Sequence, residues 1–97
     1  MLEKDIEKSV CDYAKFKGIE VYKFVSPGHR SVPDRMFILP EGVVFFIEFK
    51  ATGKKATPLQ AREHDRLRRI GCHVYVVDDI DIGKLTIELE LKIHAHA

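Results

Sequence analysis

The sequence predicts an α/β fold in which helices cover both faces of one mixed β-sheet. Apolar residues near the N-terminus recur at helical spacing, and two almost continuous apolar segments lie on either side of residue 41. A marked helix start then separates these segments from a further apolar strand. Together with a short β-rich segment after the first helix, these observations predict the core order αβββαβ in a single domain over residues 1–97.

The first helix is predicted from four apolar residues that share one side of it, Leu2, Ile6, Val10 and Tyr13. It is expected to end near Gly18, because glycine adopts the backbone conformation that commonly follows a helix. Residues 19–25 are rich in β-branched and aromatic side chains and predict a strand. The Ser-Pro-Gly sequence at 26–28 closes that strand.

A β-hairpin is predicted next, with strands at 35–39 and 43–49 joined across Pro40-Glu41-Gly42. Both segments are apolar at successive positions rather than at every second one. Strands of this kind are usually covered on both faces, so helices are expected on each side of the sheet.

The second helix is predicted to begin after Thr57, with Pro58 at its first position and Gln60 completing a capping box. Its buried side is predicted to consist of Leu59, Leu67 and Ile70. Residues 74–77 then predict a buried strand, which is expected to run parallel to 43–49 because a helix joins the two.

The last segment, 85–93, alternates between apolar and polar residues and favours a strand with one solvated face. Its Leu, Glu and Lys content equally allows a helix. The segment is the first candidate for a homodimer contact, since a domain of this size buries a modest core by itself. His94 and His96 are expected in a disordered tail rather than at a metal.

Composition limits the classes of function that remain open. Hydrophobic residues make up 45% and charged residues 32% of the chain, which fits a folded domain and not a disordered one. The longest apolar run, 43–47, is far too short to cross a membrane. Cys11 and Cys72 form neither a CxxC pair nor a dense framework, so a reduced, intracellular (cytoplasmic) protein is expected.

Charge is unevenly distributed along the chain. Residues 50–69 carry seven cations against two acids, whereas residues 78–92 carry five acids against two lysines. This asymmetry suggests a surface for a polyanion such as nucleic acid, although a solvated helix face would give the same pattern.

The chemically distinctive residues are Pro33-Asp34 and Glu48-Phe49-Lys50. In a hairpin centred on Glu41, Asp34 lies directly opposite Glu48, and Lys50 shares the face of Glu48. Two opposed carboxylates repel unless a cation lies between them, and hard oxygen ligands without Cys or His suit Mg²⁺ or Mn²⁺. A structural ion pair with Lys50 is the alternative interpretation.

A Pro-Asp followed fourteen residues later by Glu-x-Lys resembles the PD-(D/E)xK nucleases, which share a restriction-endonuclease-like fold. The string SVPDRMFILPEGVVFFIEFKATGKKATPLQ resembles in particular the virus-type replication-repair nuclease (VRR-NUC) family. Phe49 and Ala51 replace that family's usual Val and Gly, and one residue fewer precedes Gln60.

The resemblance implies that Asp34, Glu48 and the main-chain carbonyl of Phe49 bind Mg²⁺ or Mn²⁺, and that Lys50 orients or deprotonates the attacking water. It implies a polar contact from Gln60, for which the capping box is the alternative role. It also implies a glutamate on the first helix. The family spacing and the apolar stripe fit Glu3 better than Glu7, which stays an alternative.

The implied activity is a metal-dependent endonuclease on DNA, and analogy with stand-alone members suggests a homodimer that cuts branched DNA such as Holliday junctions. A bacterial or viral origin follows from the same analogy. A flap or nick nuclease, or a non-catalytic nucleic-acid-binding module, are the alternatives. The candidate DNA-binding residues are His29, Arg30, Lys54, Lys55, Arg62, Arg66 and Arg69.

Overall fold

The structure is a computed structural model that describes residues 1–95. Its elements in chain order are α1 (Glu3–Phe16), β1 (Glu20–Lys23), β2 (Arg35–Ile38), β3 (Val44–Phe49), α2 (Pro58–Arg69), β4 (His73–Val77) and α3 (Ile80–Ile93). The predicted order αβββαβ is confirmed, and α3 follows it. Within residues 1–95, no helix combines the length and apolarity that crossing a bilayer requires.

The four strands form one mixed sheet in the order β1-β2-β3-β4. β1, β2 and β3 are antiparallel neighbours, and β4 runs parallel to β3 as predicted. In the β2–β3 hairpin Arg35 pairs with Ile47 and Ile38 with Val44, so the hairpin is centred on Glu41. Glu41 itself has a positive φ of 74°, which closes the connection tightly. This register places Asp34 and Glu48 at the end of the hairpin farthest from its turn.

One face of the sheet packs against α1 and α3 and forms the hydrophobic core. Phe37 and Phe45 stack with their ring centroids 4.9 Å apart, and Ile6 and Val10 of α1 cover them together with Ile87 of α3. α1 and α3 approach each other closely at Gly83, where a Cβ atom would lie 2.4 Å from a methyl carbon of Val10. The absence of a side chain at this position therefore sets the distance between the two helices.

α2 packs on the opposite face. Of its predicted buried residues only Leu67 is half-buried, and the prediction is wrong for the other two. Leu59 is 50% exposed and Ile70 is 71% exposed, whereas the buried residue of α2 is His64. The reason is that α2 faces a part of the sheet that carries the buried carboxylate of Glu48, and this group requires polar neighbours. The predicted helix start is confirmed, and Gly71 follows the helix end with a φ of 101°.

Residues 80–93 form a helix, so the strand favoured for 85–93 is wrong and the helical alternative is correct. The Asp79 side chain caps α3 by accepting a hydrogen bond from the Ile82 amide at 2.9 Å. The alternation of apolar and polar residues suggested a strand because α3 carries apolar residues on two sides. Ile87 lies in the core, whereas Leu85 and Leu89 are exposed.

The C-terminal end of α3 also differs from the prediction. His94 follows the last turn and lies against Glu90, with Nε2 3.3 Å from Oε1, and is therefore not in a disordered tail. His96, which was assigned to the same tail, lies outside the described residues.

Candidate active site

Asp34 is held between two neighbouring strands immediately before β2. Its Oδ2 accepts a hydrogen bond from the Phe49 amide at 3.0 Å, and its main-chain carbonyl accepts one from the Phe24 amide at 2.9 Å. The preceding Pro33 is buried, which restrains the backbone at this point. Asp34 is thus anchored to the end of β3, as the hairpin register predicts.

Glu48 is the buried charge of the site, with only 2% of its surface exposed. Gln60 Nε2 donates to Oε2 at 3.3 Å, and Lys50 Nζ lies 3.9 Å from the same oxygen. His64 Nε2 lies 3.6 Å from Oε1. Among the described residues, however, Oε1 has no hydrogen-bond partner, so one oxygen of a buried carboxylate is left unsatisfied.

The proximity of the two carboxylates has an electrostatic consequence. Burial raises the pKa of Asp34 to about 6, the Phe49 amide partly opposes this, and the neighbouring Glu48 carboxylate raises it further. Two acids in one partly buried site are costly when both are ionised. A bound cation would remove this cost.

Gln60 takes part in the capping box and also contacts Glu48. Its main-chain amide donates to Thr57 Oγ1 at 3.2 Å, and its Oε1 accepts from the Thr57 amide at 2.9 Å, which completes the capping box. Because the amide oxygen is engaged in the cap, the Nε2 group faces Glu48. The start of α2 therefore orients a donor toward the buried carboxylate.

Lys50 follows β3 and continues its pairing with β4, since its amide donates to the Val77 carbonyl at 2.9 Å. Its side chain is largely buried and its ammonium is on the same side as Glu48, as predicted. The observed distance of 3.9 Å to Glu48 Oε2 is an ion-pair contact and leaves the ammonium protons available for a further acceptor.

The two candidate glutamates of α1 occupy different environments. Glu7 Oε2 accepts a hydrogen bond from Arg35 Nε at 2.6 Å, so its charge is already compensated. Glu3 is exposed and lies close enough to Asp34 for its charge to raise the pKa of that carboxyl further. Of the two, Glu3 is thus the α1 acid whose charge acts on Asp34.

The candidate DNA-binding residues separate into two groups. Arg66 forms two hydrogen bonds to Glu63, at 3.1 and 2.9 Å, and His29 Nδ1 lies 3.9 Å from the same carboxylate. Within residues 1–95, the remaining candidates are exposed and form no ion pair, and these are Arg30, Lys54, Lys55, Arg62 and Arg69. The second group is better suited to contact phosphates.

The sequence interpretation missed His64. The imidazole is 1% exposed, lies beside Glu48, and has no hydrogen-bond partner on either ring nitrogen among the described residues. A signal was available, because His64 follows Gln60 by four residues and therefore shares its side of the helix. The apolar residues of α2 concealed it, since they suggested a different buried side.

The donor set fits a divalent metal ion. Asp34, Glu48 and the Phe49 carbonyl offer hard oxygen atoms, which Mg²⁺ and Mn²⁺ prefer. The unsatisfied, buried Oε1 of Glu48 is the clearest sign, because a buried anionic oxygen without a donor normally has a cation beside it.

Comparison with known proteins relates the chain to nucleases. No protein-family model matches the chain. A protein of Acyrthosiphon pisum secondary endosymbiont phage 1, "Putative nuclease p44", is 47% identical over 83 residues, which are 86% of this chain and 89% of that protein. A solved structure described as "VRR_NUC domain" matches with a TM-score of 0.77 and 32% identity, over 97% of each chain.

The fold and the order of the motifs are those of a PD-(D/E)xK nuclease. Within that superfamily, the chain belongs to the VRR-NUC family. The resemblance inferred from the motifs is therefore confirmed.

Proposed function

We propose that this VRR-NUC protein is a divalent-metal-dependent endonuclease that hydrolyses DNA phosphodiester bonds. The observation that supports this most directly is a convergence of four side chains at one end of the sheet, those of Asp34, Glu48, Lys50 and Gln60. They surround a buried oxygen that has no donor within residues 1–95. Asp34, Glu48 and the Phe49 carbonyl would hold Mg²⁺ or Mn²⁺. The ion, when bound, polarises the phosphate and makes a coordinated water more acidic.

The remaining residues have separate tasks. Lys50 orients the attacking water and offsets the negative charge that develops on the phosphate, since its ammonium protons are not all used by Glu48. Gln60 holds the Glu48 carboxylate in place from α2 by a hydrogen bond, and the His64 imidazole lies 3.6 Å from its other oxygen. Glu3 contributes an additional acid from α1 on the Asp34 side of the site.

Cleavage assays with substituted chains test the proposal. Glu48→Gln and Lys50→Ala are each expected to lower Mg²⁺-dependent cutting by at least about 100-fold, because they remove a ligand or the charge beside the phosphate. DNA binding should persist in both variants. Glu41→Gln, in the exposed hairpin turn, is the matched control and should cut normally. The proposal fails if wild type cuts no single strand, flap, bubble or junction with Mg²⁺ or Mn²⁺.

We further propose that the substrate is branched DNA, such as a four-way junction, and that specificity comes from shape and charge. The exposed cations on the loop before α2 and on α2 contact phosphates and carry no base information. A panel of labelled DNA structures of equal length distinguishes this from a flap or nick nuclease. Preferential cutting of a flap or nick would contradict the junction assignment.

A homodimer is the proposed functional unit, because a two-fold pair presents two sites to a symmetric junction. α3 carries the contact, since its outer side has four apolar residues that are between 48% and 63% exposed: Ile82, Leu85, Leu89 and Ile93. The first turn of α3 is acidic at Asp81 and the last turn is basic at Lys92. An antiparallel pairing of two α3 helices would therefore join opposite charges at both ends.

Light scattering after size-exclusion chromatography tests the dimer. Wild type is expected to be dimeric at micromolar concentration, and Leu85→Glu with Leu89→Glu to be monomeric, because both substitutions place charge in the apolar contact. Glu41→Lys changes charge outside α3 and should leave the dimer intact. A monomeric wild type would exclude this assembly and favour a flap or nick nuclease.

We place the activity inside a bacterial or virus-infected cell, and treat residues 1–97 as one functional domain. Cys11 and Cys72 are both free thiols, which is typical of reducing compartments, and a similar protein is phage-encoded. Detection of the native protein in a cytosolic fraction would test the location.

A further inference from the structure

A second group of potential metal ligands lies away from the nuclease site, on the other face of the sheet. His73 begins β4, whereas Val77, which pairs with Phe49 beside the nuclease site, ends it. Glu90 and His94 come from the C-terminal end of α3 and pack against His73. None of these residues contributes to the nuclease site described above.

The centre of this group is the carboxylate of Glu90, which is completely buried. His73 Nδ1 lies 2.8 Å from its Oε2, and the Tyr75 hydroxyl donates to the same oxygen. Oε2 is therefore fully satisfied and Glu90 is fixed in position.

The other carboxylate oxygen is not satisfied. Oε1 of Glu90 and Nε2 of His94 are 3.3 Å apart, both are buried, and neither has a hydrogen-bond partner among the described residues. One ligand atom from each of His73, Glu90 and His94 lies within 4.8 Å of the others. In a tetrahedral site with metal–ligand distances near 2.0–2.1 Å, ligand atoms are about 3.3–3.4 Å apart, so small side-chain rotations would suffice.

We propose that His73, Glu90 and His94 form a second metal site, which takes a transition-metal ion of the Zn²⁺ type. Two imidazoles and one carboxylate form a donor set that Zn²⁺ binds well, whereas Mg²⁺ prefers a set made of oxygen atoms alone. The Tyr75 hydroxyl orients the carboxylate, as partners of metal ligands commonly do. The His73 side chain is about half exposed, so solvent reaches this side of the site and can supply water as a fourth ligand.

The site would join β4 to the end of α3, two elements that the chain connects only through the short segment between Val77 and Ile80 at their opposite ends. Metal binding would therefore restrain the C-terminal part of α3. This predicts a role in stability, separate from hydrolysis at the nuclease site.

Calorimetric Zn²⁺ titration of the full, untagged chain in excess Mg²⁺ tests the proposal. Wild type is expected to bind one equivalent, and its melting temperature should rise with Zn²⁺. His73→Ala and His94→Ala should each weaken binding by about 100-fold or more, and Tyr75→Phe by about 10- to 100-fold. With Co²⁺, wild type should show the absorption bands of a tetrahedral ion, and the double variant His73→Ala with His94→Ala should not.

Two controls separate this site from others. His29→Ala removes an exposed histidine elsewhere and should bind Zn²⁺ like wild type. Glu48→Gln alters the nuclease site and should also retain one equivalent, so the outcome does not depend on the proposed nuclease function. Unchanged Zn²⁺ binding after His73 and His94 are both replaced, in a variant that circular dichroism shows to be folded, would overturn the proposal. A wild type that binds no Zn²⁺ would also overturn it, and the three side chains would then be a polar cluster without a metal.

Discussion

Gln60 donates from Nε2 to Glu48 at 3.3 Å while its Oε1 accepts from the Thr57 amide at 2.9 Å. The Gln60 side chain therefore takes part in the N-terminal cap of α2 and also contacts Glu48, the buried acid of the nuclease site. The N-terminal cap of α2 and the position of Glu48, which precedes Gln60 by twelve residues, are therefore coupled. Weakening the cap should disturb the site even though Thr57 does not touch Glu48.

Thr57→Ala is expected to lower the free energy of unfolding by about 1 kcal/mol and to reduce cleavage. The Gln60 main-chain amide loses its hydroxyl acceptor, so the first turn of α2, which carries the Gln60 side chain, is held less firmly. Urea denaturation and the cleavage rate measure the two effects. Thr57→Ser keeps the hydroxyl and should retain both properties. Loss of stability with unchanged cleavage would show that the cap does not position Gln60.

Asp34→Asn is expected to stabilise the metal-free protein near neutral pH. The pKa of Asp34 is raised from 3.8 to about 6, so the folded state holds a proton that the unfolded state has released over that interval. The contribution of Asp34 to stability is thus fully present below pH 3.8 and is lost as the pH rises through 6. The advantage of the variant over wild type should grow across this window in urea denaturation without divalent ions. Mg²⁺ should stabilise wild type only, and an advantage that does not change with pH would contradict the raised pKa.

Glu3→Gln should mainly reduce cleavage, whereas Glu7→Gln should mainly reduce stability. Glu7 is paired with Arg35 at 2.6 Å in a partly buried contact, so its neutralisation should cost about 1 kcal/mol of stability with little effect on cleavage. Glu3 makes no such contact within the described chain, and its neutralisation should reduce cleavage with little effect on stability. Thermal melts and single-turnover assays on both variants distinguish them. The reverse result would assign the α1 acid to Glu7.

Gly83→Ala should destabilise the protein by about 1–3 kcal/mol, because the new methyl group would overlap a Val10 methyl carbon at the α1–α3 contact. In an exposed helix the same substitution would stabilise by about 1 kcal/mol. Combining it with Val10→Ala removes the overlapping atoms. The double variant should lose less stability than the sum of the single variants, and strict additivity would rule out the overlap.

Arg62→Ala and Arg69→Ala should each weaken junction binding and reduce the salt dependence by about one unit of slope, because each removes one phosphate contact. Arg66→Ala should have a smaller effect, since its guanidinium is already paired with Glu63. Binding measured at several salt concentrations without divalent ions tests this ranking. An equal slope for all three variants would show that the Glu63 pair opens on DNA.

Much of the architecture was predictable because it depends on local backbone rules. The register of the β2–β3 hairpin follows from a connection centred on Glu41, and side chains alternate with a period of two along each strand. Asp34 therefore had to lie near Glu48. The capping box at Thr57 likewise involves neighbouring residues alone.

Tertiary packing decided the remainder. Residues 85–93 belong to a helix because Gly83 and Ile87 pack against α1, which a strand at this position would not allow. The burial of His64 depended on α2 crossing the sheet above Glu48, and Arg35 made Glu7 a structural acid. Residues that meet across long sequence separations leave no periodic signal. The sequence by itself therefore determined the register of the β2–β3 hairpin, the start of α2 and the family, and only the folded chain decided which polar side chains face one another.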